Sequence, residues 1–159
     1  MKLIFLDIDG VLNTCTTETP REVRPILPRC MTTLNKLMDV TQAKVVITST
    51  WRMSFDTIIE IQALLETKGF TGEIVGMTDK HNIPFHVLRG NLIYKWLHDN
   101  ADMLPCTPSE FNDYVILDDD SDILYWQRLN YFNIDGLYGL TDTIAYRVQR
   151  FFKRTRNYE

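Results

Sequence analysis

LIFLDIDGVLN, residues 3–13, decides the fold. Four apolar residues, Leu3 to Leu6, run without a polar interruption; Asp7 and Asp9 then bracket Ile8, and Gly10 follows. An unbroken apolar run that stops at an acidic, glycine-containing turn reads as a parallel strand buried on both faces. The pattern returns twice. Lys44-Val45-Val46-Ile47 stops at Thr48-Ser49-Thr50, and Tyr114-Val115-Ile116-Leu117 stops at Asp118-Asp119-Asp120-Ser121-Asp122. A shorter strand is expected over residues 73–77.

Helical spacing fills the intervals. Met31, Leu34, Leu37 and Met38 predict a helix over 30–40. Ile58, Ile59, Ile61, Ala63, Leu64 and Leu65 predict one over 55–67, with Gly69 as its C-cap. Leu92, Ile93, Trp96 and Leu97 predict one over 90–100. Ser121 is read as the cap of a helix running to about Asn130, and a last amphipathic helix covers 142–153. Strands alternating with helices imply an α/β, doubly wound parallel sheet. Ligands bind beyond the carboxyl ends of such strands, so Asp7 and Asp9, Thr48 and Ser49, and Asp118 to Asp122 should converge.

The chain of 159 residues suits one domain spanning 1–159, and 45% hydrophobic residues suffice for a core. A net charge of -4 argues against a broad surface for coating nucleic acid, which Lys and Arg would have to hold. Cys15, Cys30 and Cys106 form neither a disulfide framework nor a zinc pattern, and fit reduced thiols in a cytoplasmic protein. The N-terminus is too short and acidic for a signal peptide, and no apolar run is long enough to span a membrane.

Each cluster has a chemical reading and a plainer one. Asp7 and Asp9, two residues apart after a strand, can supply a nucleophile and a proton donor; they could also be an ordinary acidic turn. Asp118, Asp119 and Asp122 repel one another unless a hard cation such as Mg²⁺ is shared; the alternative is a solvated loop at a helix N-terminus. Thr48 and Ser49 can bind phosphate oxygens or cap a helix. Arg89 can neutralise phosphate or sit on the surface. Arg52 can reach substrate or form a surface ion pair. The tail from Arg147 to Arg156 interleaves Arg147, Arg150, Lys153, Arg154 and Arg156 with the aromatics Tyr146, Phe151 and Phe152, a pattern for nucleic-acid contact or for a helix with one apolar face and a solvated basic one. Trp51, Trp96 and Trp126 read as packing residues, with Trp51 nearest the site. His81, His86 and His98 show no ligand spacing.

The four elements in order, DIDGV, VVITS, Arg89 and ILDDDSD, resemble the motifs of the haloacid dehalogenase (HAD) superfamily. FLDIDGVLN, AKVVITSTWR, RGNLIYKWL and VILDDDSD further resemble the HAD domains of Swiss army knife RNA-repair proteins. The resemblance implies a Rossmann-like core and a phosphatase with an aspartyl-phosphate intermediate. Asp7 would be the nucleophile and Asp9 the general acid. Asp7, the Asp9 carbonyl and Asp118 would hold Mg²⁺, with Asp119 or Asp122 assisting. Thr48 or Ser49 would bind the phosphoryl group, and Arg89 would replace the family's usual lysine, with Lys95 as the fallback. Receiver domains, another acidic α/β fold, need an Asp where this chain has Thr48 and Ser49.

Neither interval where the superfamily carries caps is long enough for a large cap domain. An open site suits large substrates such as polynucleotide ends or phosphoproteins; with the family resemblance and the basic tail, the expected substrate is a nucleic-acid end, a 3′-phosphate before a 5′ one, or a nucleotide phosphate. A small-metabolite phosphatase and a non-catalytic phosphate- or Mg²⁺-binding module of a repair assembly are the alternatives. No membrane partner is expected, and protein partners are unspecified.

Overall fold

The computed structural model describes residues 1–15, 24–80, 87–104 and 113–154. Among the described residues, five parallel strands form one sheet: β1 (Leu3–Leu6), β2 (Lys44–Ile47), β3 (Ile74–Met77), β4 (Tyr114–Asp118) and β5 (Tyr131–Asn133). Their order is β3-β2-β1-β4-β5, so β1 is central and the chain reverses its winding beside it. Four α-helices among the described residues complete the α/β fold: α1 (Pro28–Thr41), α2 (Ile58–Thr67), α3 (Arg89–Asp99) and α4 (Asp142–Arg154).

Alternation along β1 divides the core. Ile4 and Leu6 join Leu34, Val148 and Phe152 on the α1 and α4 face. Leu3 and Phe5 join Ile93, Trp96 and Leu97 on the α3 face. Successive strand residues point to opposite faces, so a strand buried on both must be apolar throughout. Phe5 meets the Trp96 ring edge-on at 5.6 Å. Gly76 permits this packing, because a Cβ there would lie 2.7 Å from the Trp96 indole nitrogen.

The register places the site. Leu6 lies opposite Ile47 on β2 and Leu117 on β4. The next residue along each strand is Asp7, Thr48 and Asp118. Backbone bonds carry the ladder one step further: Asp7 N donates to Leu117 O at 3.0 Å and Thr48 N to Leu6 O at 2.9 Å.

Two expectations need correction. The helix predicted from Ser121 to Asn130 is absent; only a single 3₁₀ turn forms, at Tyr125–Gln127. Tertiary bonds outcompete local propensity there. Gln127 Nε2 donates to Gly90 O and Asn130 Nδ2 donates to Tyr114 O. These bonds bring the segment alongside β4, where it forms the unforeseen fifth strand. Helix α2 also starts later than Phe55. Thr57 and Glu60 form a capping box at Ile58, and the preceding residues, Thr50–Ser54, make a 3₁₀ turn.

Among the described residues, no second domain roofs the sheet. The β1–β2 interval holds α1, and the β2–β3 interval holds the 3₁₀ turn and α2. No helix there is long and apolar enough to cross a membrane.

Candidate active site

Asp7, at the end of β1, is almost fully buried. Its Oδ1 accepts from Ile8 N at 2.8 Å, which fixes the carboxylate against the turn. Asp118, the last residue of β4, has no solvent exposure, and its Oδ1 accepts from Asp120 N at 3.0 Å. Asp119 is half-buried beside them. One carboxylate oxygen from each of Asp7, Asp118 and Asp119 lies within 4.8 Å of the others. Gly10 makes room for this: it sits at φ +76°, and a Cβ there would lie 2.2 Å from Asp119 Oδ2. Both facts demand glycine.

Arg89, the first residue of α3, is the counter-charge. Its Nη1 stands 2.9 Å from Asp118 Oδ2 and 3.1 Å from Asp7 Oδ2. Neither Nη1 nor Asp118 Oδ2 makes an aligned hydrogen bond, so proximity holds the pair. Burial raises the Asp118 carboxyl to about 8, with help from the Asp7 charge, while Arg89 pulls it down. Burial also raises Asp119. For Arg89 burial acts downward, but Asp7, Asp118 and Asp122 outweigh it and hold the guanidinium above its ordinary value. Three hard oxygen donors, one of them buried without an aligned hydrogen bond, fit a metal ion.

Asp9 is held separately. Asn13 Nδ2 donates to its Oδ1 at 2.8 Å, and the Trp51 indole N–H donates to its Oδ2 at 3.2 Å. An open cleft of about 430 Å³ unites the site, lined by Asp7, Asp9, Cys15, Arg24, Arg89, Asp119 and Asp120.

The remaining candidates sort by what already engages them. The Thr48 hydroxyl is buried without a partner, whereas Ser49 Oγ accepts from Trp51 N at 3.4 Å and caps the 3₁₀ turn. The capping reading is realised at Ser49, and the Thr48 hydroxyl is left uncommitted. Asp122 stands apart from the three-carboxylate cluster. Its Oδ2 accepts from Arg89 N at 3.0 Å, and its Oδ1 lies 3.7 Å from Arg89 Nε, so it orients the arginine. Arg52 is neither on the surface nor paired with an acid. It is 5% exposed and donates to the carbonyls of Thr48, Ser49, Thr78 and Asp79, bracing β2 against the end of β3. Lys95, the fallback cation, is half-exposed and pairs with Asp79 and Asp99 away from the cluster.

Trp96 is core, but Trp126 is 62% exposed, its ring edge-on to Tyr94. His98 is exposed beside Asp99. His81, His86, Cys106 and Arg156 lie outside the described residues. In the tail, Val148 and Phe152 are buried, so α4 lays an apolar face on the sheet. Phe152 sits under the Lys2 ammonium, at the start of β1 and hence the end opposite Asp7. Sequence reasoning missed Asn13, Cys15 and Arg24. Asn13 had a faint signal, four residues beyond Asp9 across an Asp-Gly turn; Arg24, in a Thr- and Pro-rich stretch, had none.

Residues 3–145 match the family model described as the HAD domain in Swiss Army Knife RNA repair proteins. No curated protein and no solved structure matches the chain significantly. With the doubly wound sheet, the acidic cluster at its switch point and a family match over most of its length, the chain belongs to the HAD domains of Swiss Army Knife RNA repair proteins.

Proposed function

We propose that the protein is a Mg²⁺-dependent phosphomonoesterase in which Asp7 is the nucleophile. One observation carries this reading: Asp7, Asp118, Asp119 and Arg89 converge where β1 and β4 end, at the floor of an open cleft that Asp7, Asp119 and Arg89 line. Asp7, Asp118 and Asp119 would hold the ion, with the Asp9 carbonyl as the family resemblance implies. A bound Mg²⁺ supplies charge neutralisation for nucleophile and substrate phosphate.

The chain's own residues do the rest. A carboxylate oxygen of Asp7 attacks phosphorus while the ester P–O bond breaks. Asp9 gives its proton to the departing oxygen. Asp9 then accepts a proton from water, which attacks phosphorus; the bond to Asp7 breaks and inorganic phosphate leaves. Arg89 offsets the charge of Asp7 and of the phosphoryl oxygens throughout, and the uncommitted Thr48 hydroxyl is the phosphoryl hydrogen-bond donor. Phosphoryl transfer depends chiefly on such positioning and charge compensation.

The substrate class is an end phosphate on a nucleic acid, supported by the open cleft and the RNA-repair family. Acid quench after brief exposure to labelled substrate should trap phosphate on Asp7, and Asp7→Asn should abolish turnover. Label on Thr48 or Ser49, or turnover by Asp7→Asn, would refute the mechanism.

A further inference from the structure

Asp9 sits on a tight turn, yet both its oxygens are held. Asn13 Nδ2 reaches Oδ1 at 2.8 Å from within the same turn, while Asn13 Oδ1 accepts from Gly10 N at 2.8 Å. Trp51 Nε1 reaches Oδ2 at 3.2 Å from the segment that follows β2. Two N–H groups on two different oxygens set the plane of a carboxylate, which one donor would leave free to rotate.

Trp51 is anchored for this task. Its backbone N–H donates to Ser49 Oγ, its ring packs against the larger core cluster, and Arg52 ties the same turn to Thr48 and Ser49 carbonyls. A general acid must come within ~2.6–3.2 Å of the oxygen it protonates, and misplacement by about 1 Å can cost roughly 10²-fold in rate. We infer that Trp51 is a positioning residue: its indole N–H orients the Asp9 carboxyl toward the leaving-group oxygen. The inference rests on the phosphatase reading above. A tryptophan that merely packed beside the site would not need its nitrogen aimed at the carboxylate.

The test compares Trp51→Phe, which keeps an aromatic ring but loses the N–H, with Trp51→His, which keeps an N–H near the indole position but loses packing. Each is assayed on a ribonucleoside 3′-phosphate, whose leaving oxygen needs a proton, and on nitrophenyl phosphate, whose phenolate needs little help. Trp51→Phe should lower kcat on the ribose ester by about 10–100-fold. The nitrophenyl ester should lose no more than about 3-fold, and both KM values should stay within about 2-fold. Trp51→His should melt at lower temperature than Trp51→Phe yet retain most of the ribose-ester activity. In an Asp9→Asn background, Trp51→Phe should cause no further loss.

Equal losses on both esters, a Trp51→His as inactive as Trp51→Phe, or an undiminished effect in Asp9→Asn would each overturn the inference while leaving the phosphatase reading standing. A wild-type chain inactive on both esters would overturn both.

Discussion

Arg89→Met removes the guanidinium from a carboxylate cluster while keeping an apolar stem. The cost follows from burial. Asp118 is 0% exposed and Asp7 2%, so neither charge is well solvated once Nη1 leaves its places 2.9 Å and 3.1 Å away. Removing one partner of a buried ion pair costs about 3–5 kcal/mol. For a chain of this size, about 3 kcal/mol lowers the melting temperature by roughly 6–12 °C. The loss depends on pH. The Asp118 carboxyl is raised from 3.8 to about 8 by folding, so the folded chain binds that proton more tightly. Its stabilising contribution is complete below about pH 4 and is lost as pH rises through about 8. At about pH 6 a proton on Asp118 therefore relieves part of the repulsion that Arg89 otherwise offsets; at about pH 9 it does not. The gap between variant and wild type should widen with pH when melting is followed in chelator. Saturating Mg²⁺ should close much of it, because carboxylates freed of the competing Arg89 cation bind the ion more tightly, and it therefore stabilises the variant more than wild type. A variant that melts with wild type in chelator at high pH, or a gap that Mg²⁺ leaves unchanged, would refute this account of the cluster.

Gly10→Ala should lose about 1–2 kcal/mol from its left-handed backbone and displace the Asp119 carboxylate, which lies 2.2 Å from the new Cβ position; calorimetry should show weakened Mg²⁺ binding, and an unaltered titration would exclude Asp119 as a ligand. Thr57→Ala breaks the capping box of α2 and should cost about 1 kcal/mol in denaturant unfolding, with turnover unchanged; a loss of activity would tie α2 to the site. Replacing Arg150, Lys153 and Arg154 together with Glu should leave the KM for an oligonucleotide within about 2-fold, because the end of α4 lies by Lys2, roughly 16 Å along β1 from Asp7 and beyond the screening length. A selective rise for the oligonucleotide would show that the strand wraps to that end.

Sequence alone determined the strands β1, β2 and β4, because a strand buried on both faces must be continuously apolar and must stop where polar chemistry begins. That rule also found Asp7, Thr48, Asp118 and Asp119, since adjacent parallel strands in register deliver their next residues to one edge. Spacing could not distribute the acids. Asp119 joins Asp7 and Asp118 because Gly10 leaves it room, whereas Asp122 turns to Arg89; the acids of residues 118–122 separate only when the loop's path is known. Arg52 had the charge of a phosphate ligand, but tertiary folding placed it among four carbonyls. The segment after Asp122 had the local pattern of a helix, and long-range bonds from Gln127 and Asn130 to Gly90 and Tyr114 made it a turn and a strand instead. The N–H of Trp51 on Asp9 spans 42 positions in the chain. A contact of that separation leaves no periodicity to read, and only the closure of β2 beside β1 creates it.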